Sequence, residues 1–176
     1  MDALIKRITI TASLVVLFLF GCSPGPMEEY RNSDKGFAIS FPKEWEKKEN
    51  QPGAVVVALE PEQESDGFFR SNVAVIVSTV PPGVKSNDYY DRQFNSLTGM
   101  AGPVKDFKLI LNRFIAIDGH QGKELTYSYS IGELRLFAMT RMVVHGDKGF
   151  FIIGTSADFG KFQLNYNKIA ESFELL

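Results

Sequence analysis

The two histidines of the sequence, His120 and His145, each lie beside a predicted hairpin turn. A metal site would pair His145 with Asp147, or would bring the two histidines together across a sheet. Zinc sites normally use three or four histidine, cysteine or carboxylate ligands. Because the sequence offers few such ligands, we interpret both histidines as exposed turn residues and predict no metal and no other cofactor.

Ser40-Phe-Pro-Lys43 has the spacing of the serine–lysine acyl enzymes. That chemistry places the serine at the start of a helix, so that the lysine lies beside it one turn later. Ser40 instead lies in a predicted strand, and Pro42 separates the two residues. The sequence has no other nucleophile motif and no phosphate-binding glycine loop. We therefore predict no catalytic residues and no enzymatic activity.

Aromatic residues are frequent, with 15 Phe and 6 Tyr in the chain. Phe68-Phe69 lie in a predicted acidic loop, and Tyr89-Tyr90 lie at the start of a predicted helix. Such pairs could present aromatic surface to a partner. The alternative, which we favour, is that Tyr90 belongs to the core and that one residue of each pair points inward.

Two predicted turns determine which charged residues face each other. If Asp118-Gly119 and Gly132-Glu133 are two-residue turns, Arg113 lies opposite Glu124, and Glu124 lies opposite Arg141. Opposed residues of antiparallel strands share one face of the sheet. An anion site on the two arginines is the functional alternative, but Glu124 would already neutralise one of them. We therefore predict a structural ion network.

Hydrophobic periodicity predicts the elements that position these residues. Strands are predicted over residues 36–41, 55–59, 73–80, 107–117, 123–131, 134–144 and 150–155. The stretch 61–69 is predicted to be a loop. The order of strands, one helix, a four-strand meander and a second helix predicts an α+β fold. We expect an antiparallel sheet of about six to seven strands sandwiched by helices.

Two apolar stripes at helical spacing mark the predicted helices. The first helix begins at Ser86, a good N-cap residue, and its stripe is Tyr90, Phe94, Leu97 and Ala101. The stripe of the second is Phe159, Phe162, Tyr166, Ile169 and Phe173.

The N-terminal region has the pattern of an export signal. Lys6 and Arg7 precede an apolar stretch, residues 8–20, that is short of the ~20 residues a membrane-spanning helix needs. The segment Leu19-Phe20-Gly21-Cys22, which holds the only cysteine, resembles the lipobox of bacterial lipoproteins, although Phe20 stands where a small residue is usual. We predict a signal peptide over 1–21, lipidation of Cys22 and a flexible tether over 22–33. The alternative is a buried cysteine after an uncleaved anchor.

Several segments together resemble the PsbP/DcrB-like superfamily. They are Gly36-Phe-Ala-Ile-Ser-Phe-Pro-Lys-Glu-Trp45, Ile117-Asp-Gly119 with Glu124-Leu-Thr-Tyr127, Gly149-Phe-Phe-Ile-Ile-Gly-Thr-Ser-Ala157 and Ile169-Ala-Glu-Ser-Phe173. The resemblance spans residues 34–176, which we take as one PsbP-like domain. It implies an antiparallel sheet between helices and no catalytic residues. The manganese–calcium association of PsbP is not carried over, because no ligand residues match.

Composition limits the functions that remain. The 176 residues have a formal net charge of −2, and a nearly neutral domain lacks the basic surface that nucleic-acid binding requires. We hypothesise a membrane-tethered, non-enzymatic binding or assembly module of the cell envelope, with an envelope protein as partner. Ser23 would suit the outer membrane of a Gram-negative host. Two alternatives stay open: a carrier with an apolar pocket for a small ligand, and a hydrolase with an unrecognised site.

Overall fold

The computed structural model describes residues 25–62, 69–98 and 104–176. The predicted lipidation site Cys22, the predicted loop residue Phe68 and the helix-stripe residue Ala101 lie outside the described residues. Within these ranges the elements, in chain order, are β1 (Met27–Asn32), β2 (Phe37–Pro42), β3 (Glu46–Gln51), β4 (Ala54–Leu59), β5 (Asn72–Thr79), α1 (Ser86–Thr98), β6 (Val104–Ile117), β7 (His120–Ile131), β8 (Leu134–His145), β9 (Lys148–Ser156), α2 (Phe159–Glu171) and β10 (Glu174–Leu175).

The strands form two antiparallel sheets. The larger has seven strands in the order β3-β4-β5-β9-β8-β7-β6, and the smaller has three in the order β1-β2-β10. Six of the seven predicted strands lie in the larger sheet, and the predicted strand 36–41 is β2 of the smaller sheet. The mostly antiparallel architecture with two helices is α+β, as predicted. Strands β1 and β3 were not predicted, because these polar segments lack apolar alternation.

Strand β1 changes the predicted start of the domain. Residues 27–32, which were expected to belong to a flexible tether, pair along their whole length with β2, from Met27↔Pro42 to Asn32↔Phe37. Met27 and Tyr30 pack against the main core. These two apolar contacts and the backbone pairing order this segment despite its polar composition, so the domain begins upstream of residue 34.

The two faces of the larger sheet are covered by different elements. On β9, Phe150 and Ile152 belong to the core under α2 and β2, whereas Phe151 between them belongs to a second core under α1. Successive side chains of a strand point to opposite faces. The sheet therefore lies between the helices, as predicted.

Both predicted hairpin turns are present. Asp118 and Gly119 have φ values of 46° and 75°, as a type I′ turn requires, and Gly132 has a φ of 61°. The turns set the predicted register, in which Arg113 pairs with Glu124 and Glu124 pairs with Arg141.

Helix α2 packs through its predicted stripe. Asp158 caps its N-terminus by accepting a hydrogen bond from the Gly160 amide at 3.1 Å. Phe162, Tyr166 and Ile169 are buried, and the Tyr166 hydroxyl donates to the Ile152 carbonyl at 2.9 Å. The helix ends at Glu171, so Phe173, which was predicted to lie on its stripe, enters the core from the segment after it.

Candidate functional site

The two edges of the larger sheet differ in composition. Strand β3, at one edge, has four charged residues among its six, Glu46, Lys47, Lys48 and Glu49. Charged side chains are a common means of preventing another strand from adding to an exposed edge. Strand β6, at the other edge, has a single charged residue, Arg113, between positions 111 and 117.

Residues 111–117 of β6, which we call the edge segment, have regular geometry. Bulges interrupt the pairing of β6 with β7 before Leu111, and from Leu111↔Thr126 to Ile117↔His120 the pairing is continuous. Among the residues that the structure describes, no strand pairs with the outer side of β6. The edge segment therefore offers seven residues of continuously paired strand to a partner, about the length of one ordinary strand.

Phe114 lies at the centre of the edge segment and is 51% exposed. It borders a shallow groove of about 410 Å³ at the surface. The groove is lined by Phe114, Ile115, Ala116, Gly119, His120 and Gln121. An exposed edge strand with side-chain pockets beside it is the arrangement that adding an extended peptide as a strand uses.

An ion pair with one buried partner lies beside Phe114. The Lys123 ammonium lies 2.7 Å from Asp91 of α1 and 5.4 Å from the centre of the Phe114 ring. The Lys123 side chain is only 7% exposed, whereas that of Asp91 is largely exposed. This pair links α1 to β7, and its ammonium lies over the Phe114 ring. Sequence analysis did not identify it, because its residues are 32 positions apart.

The structure brings the two histidines together at the end of the groove. Nδ1 of His120 lies 2.8 Å from the Asp118 carbonyl oxygen, and Nδ1 of His145 lies 3.0 Å from Nε2 of His120. Because a carbonyl only accepts, His120 donates from Nδ1, and its Nε2 shares a hydrogen bond with Nδ1 of His145. The two rings thus satisfy each other. Within the described ranges, no group of three or more potential metal ligands forms.

Glu124 lies between the two predicted arginines. Its Oε2 accepts from Nε of Arg113 at 2.7 Å, and its Oε1 accepts from Nε of Arg141 at 3.0 Å. Both carboxylate oxygens are therefore occupied, and the Glu124 side chain is only 7% exposed. The contacts confirm the predicted ion network. They leave the anion-site alternative without support, since Glu124 already binds both cations.

The other residues that sequence analysis considered lie elsewhere. Ser40 is in β2, where its amide donates to Ser172 Oγ at 2.8 Å, so it does not begin a helix. Tyr89 and Tyr90 are both buried, and the hypothesis that they present aromatic surface to a partner is wrong. The Tyr90 hydroxyl donates to the Gln121 carbonyl and accepts from the Val144 amide, each at 3.0 Å. Phe69 is half-buried.

The hydrolase alternative gains no support from the described carboxyl groups. The pKa values that are clearly displaced are those of Glu28 and Glu46, and both are lowered, by hydrogen bonds to Lys47 and to Arg70 respectively. A general acid requires the opposite displacement.

Sequence analysis did not identify the edge segment as a binding surface. Strand order depends on contacts between distant residues, so the position of β6 at an edge could not be inferred from the sequence. One signal was available. Residues 109–117 are apolar at both odd and even positions, a pattern of strands covered on both faces, and this pattern on an edge strand leaves Leu109, Ile110 and Phe114 exposed.

The architecture is an α+β sandwich, in which a seven-stranded antiparallel sheet lies between two helices and carries a smaller sheet. Its fold is PsbP-like. The chain is similar to the cyanobacterial PsbP protein (CyanoP) of Synechocystis sp. PCC 6803, with a TM-score of 0.66 and 18% identity over 89% of this chain and 96% of that one. At this identity the likeness shows the fold alone.

Two further solved structures share this fold. LpqN of Mycobacterium tuberculosis, described as involved in cell envelope biogenesis, matches with a TM-score of 0.60 and 15% identity, over 85% of this chain and 91% of that one. The Ran-binding protein Mog1p of Saccharomyces cerevisiae matches with a TM-score of 0.61 and 7% identity, over 86% and 96%. No protein-family model and no curated protein matches the sequence. Neither described helix has the length and apolar character needed to cross a membrane.

Proposed function

We propose that this protein is a non-enzymatic binding module of the bacterial cell envelope, tethered by a lipid on Cys22. It binds an extended, largely apolar segment of a partner protein by adding that segment as a strand to β6. The observation that carries the proposal is the edge segment, which is regular and largely apolar and has no strand on its outer side among the described residues. Backbone hydrogen bonds provide affinity in this mode of binding, and pockets for alternate side chains provide specificity.

The comparisons support the class of function. Mog1p is described as a Ran-binding protein, and LpqN is described as involved in cell envelope biogenesis. The fold thus serves binding in one case and envelope biology in another. Neither partner is carried over to this chain, since fold alone does not determine function.

Site-specific cross-linking tests the proposed edge. p-Benzoylphenylalanine is placed at Phe114 in the full-length protein, in cells of the source organism, and at Leu164 as the control. Leu164 is also a large exposed apolar residue, at 71%, but it lies on α2. We expect a partner to be cross-linked from position 114 and not from position 164. Equal cross-linking from both positions, or cross-links only between copies of this chain, would contradict the proposal.

The lipid anchor has a separate test. Replacing Cys22 with Ser removes the thiol that would take the lipid, so we expect the variant to lose palmitate labelling and membrane association. Its circular dichroism spectrum and melting temperature should stay unchanged, because residue 22 precedes the first described strand. Labelling that survives the substitution would show that the anchor is elsewhere or absent.

A further inference from the structure

A second exposed apolar feature lies at the turn between β7 and β8. Ile131 and Leu134 flank this turn, and they are 43% and 37% exposed. The two residues pair across the strands, so their side chains share one face of the hairpin. We call residues 131–134 the tip. Exposed positions at a turn are ordinarily polar, so an apolar tip points to a surface that it contacts.

The chain enters the domain at the same end of the molecule as the tip. Strand β1 starts opposite the last residue of β2. Just after β2, the ring of Trp45 stacks on Phe162 of α2, with the ring centroids 6.3 Å apart. One turn earlier in α2, the ring of Phe159 lies 5.3 Å from that of Phe137, near the start of β8. Helix α2 thus connects the entry point of the chain with the strand that follows the tip.

The other end of the molecule contains the β6–β7 and β8–β9 turns. There the Lys148 ammonium donates to the carbonyl of Lys35, in the turn between β1 and β2, at 3.0 Å. The Leu175 amide of β10 donates to the Asp118 carboxylate at 2.9 Å. Strands β1 and β2 therefore extend along the larger sheet between its two ends, and β1 begins at the end that carries the tip.

The proposed lipid anchor determines which end of the domain faces the membrane. Gly25 is the first described residue, and it follows Cys22 by three positions. Three extended residues span at most about 11 Å. A lipid on Cys22 therefore holds the entry point of the chain, and with it this end of the domain, close to the membrane surface.

The charged residues beside the tip are balanced in sign. Lys105 and Arg135 both pair with Ser130, so these three residues form a row across the sheet next to the apolar row of the tip. Both basic residues are exposed, as are the neighbouring acidic residues Asp106 and Glu133. Because the charges offset each other, apolar contact and not net charge would attract the tip to a membrane. Long basic side chains one row behind an apolar surface can bond to lipid phosphates.

We propose that the tip docks on the lipid bilayer, with the side chains of Ile131 and Leu134 inserted at the boundary between headgroups and acyl chains. The inference rests on the proposed lipid anchor, and it adds the surface through which the domain itself contacts the membrane. Apolar side chains of interfacial segments enter this boundary by about 5–10 Å. The edge segment runs to Ile117 at the opposite end of the sheet, so the docked domain leaves it open to a partner.

The test places a fluorophore at the tip of the full-length lipidated protein. Ile131→Cys is labelled with the thiol-reactive fluorophore NBD and reconstituted into phosphatidylcholine–phosphatidylglycerol vesicles, with or without lipids that carry a nitroxide on the acyl chain. We expect the nitroxide lipids to quench the fluorophore severalfold. Two controls should keep their fluorescence: Leu164→Cys, at a large residue of α2 that is 71% exposed, and Asp147→Cys, in the β8–β9 turn at the opposite end.

Flotation of the vesicles separates failure of the tip from failure of the anchor. The sequence has one cysteine, Cys22, so NBD labelling of the unsubstituted protein, or its failure to float with vesicles, would overturn the anchor and this inference together. Protein that floats but shows no quenching at position 131, or equal quenching at position 164, would overturn the docking of the tip and leave the anchor intact.

A second substitution shows whether the tip or the fluorophore enters the bilayer. Leu134→Asp is combined with the labelled Ile131→Cys. We expect the quenching to be lost, because an ionised carboxylate is costly to bring into an apolar layer. Quenching that persists in the double variant would show that the fluorophore inserts by itself and would overturn the role of the tip.

Discussion

At the scale of single residues, the contacts of Glu124 show that two ion pairs of the same kind can contribute differently to stability. Its two arginine partners have different surroundings: the Arg141 side chain is 12% exposed and the Arg113 side chain is 59% exposed. Arg141 also lies 6.0 Å from the Tyr166 ring. An ion pair near the surface contributes little, whereas a buried charge that loses its partner is strongly destabilising.

Glu124→Gln therefore tests the network at its centre. We expect the free energy of unfolding to fall by about 2–4 kcal/mol, because the buried Arg141 loses its nearer counter-charge and keeps only the exposed Glu171 at 4.0 Å. Arg113→Gln is the matched variant, and it should lower the free energy by at most about 1 kcal/mol, since Arg113 is mostly solvated. Urea unfolding measures both values. Equal losses in the two variants would contradict the difference in burial.

At the scale of elements, α2 approaches the sheet closely at one strand position. A side chain at Gly154 of β9 would overlap the ring of Tyr166, and the Cε1 atom of Phe162 would lie only 2.9 Å from its Cβ. Gly154 is thus required by the packing of the helix rather than by a turn. Gly160, in the first turn of α2, meets no such restriction, and a Cβ there would lie 3.9 Å from Asp158 Oδ1.

These two glycines provide opposite predictions for the same substitution. Gly154→Ala should lower the free energy of unfolding by about 1–3 kcal/mol, because overpacking displaces α2. Gly160→Ala should raise it by up to about 1 kcal/mol, because alanine favours the helix and has room. Thermal or urea unfolding of the two variants measures both changes in the free energy of unfolding. A neutral Gly154→Ala would mean that α2 lies farther from β9 than the structure places it.

At the scale of the whole molecule, buried tyrosines couple stability to alkaline pH. Burial raises the pKa of Tyr90, Tyr127, Tyr129 and Tyr166 above the ordinary value of 10. Below that value each tyrosine is protonated in both the folded and the unfolded chain, so this contribution to stability is fully present. As the pH rises above 10, the unfolded chain releases protons that the folded chain keeps. Stability therefore falls, by up to about 1.4 kcal/mol per pH unit for each such group.

Tyr166→Phe isolates one of these groups. At pH 7 we expect the variant to be less stable by about 1 kcal/mol, because the hydrogen bond to the Ile152 carbonyl is lost. Above about pH 10 its stability should decline less steeply than that of the unmodified protein, because its unfolding releases one proton fewer. Urea unfolding at a series of pH values measures this slope. An identical slope in both proteins would show that Tyr166 ionises in the folded state.

Local patterns explain why much of this architecture could be predicted. The turn residues Asp118-Gly119 and Gly132-Glu133 determine the register of three strands, so the contacts of Glu124 followed from sequence. The polar strands β1 and β3 could not be predicted, because their order comes from pairing with distant segments and not from their own composition. The edge segment could not be predicted for the same reason, since its position depends on which strands become neighbours.

The most direct test of the proposed function is backbone amide hydrogen exchange along the two edges of the larger sheet. The exchange rates are measured with and without a synthetic peptide of the partner segment that cross-links to position 114. We predict that the peptide slows exchange at the outward-facing amides of residues 111–117, because they become bonded to an added strand. Exchange in β3, Glu46–Gln51, should stay unchanged. Bound peptide that leaves exchange at 111–117 unaltered, or that slows both edges equally, would contradict strand addition at β6.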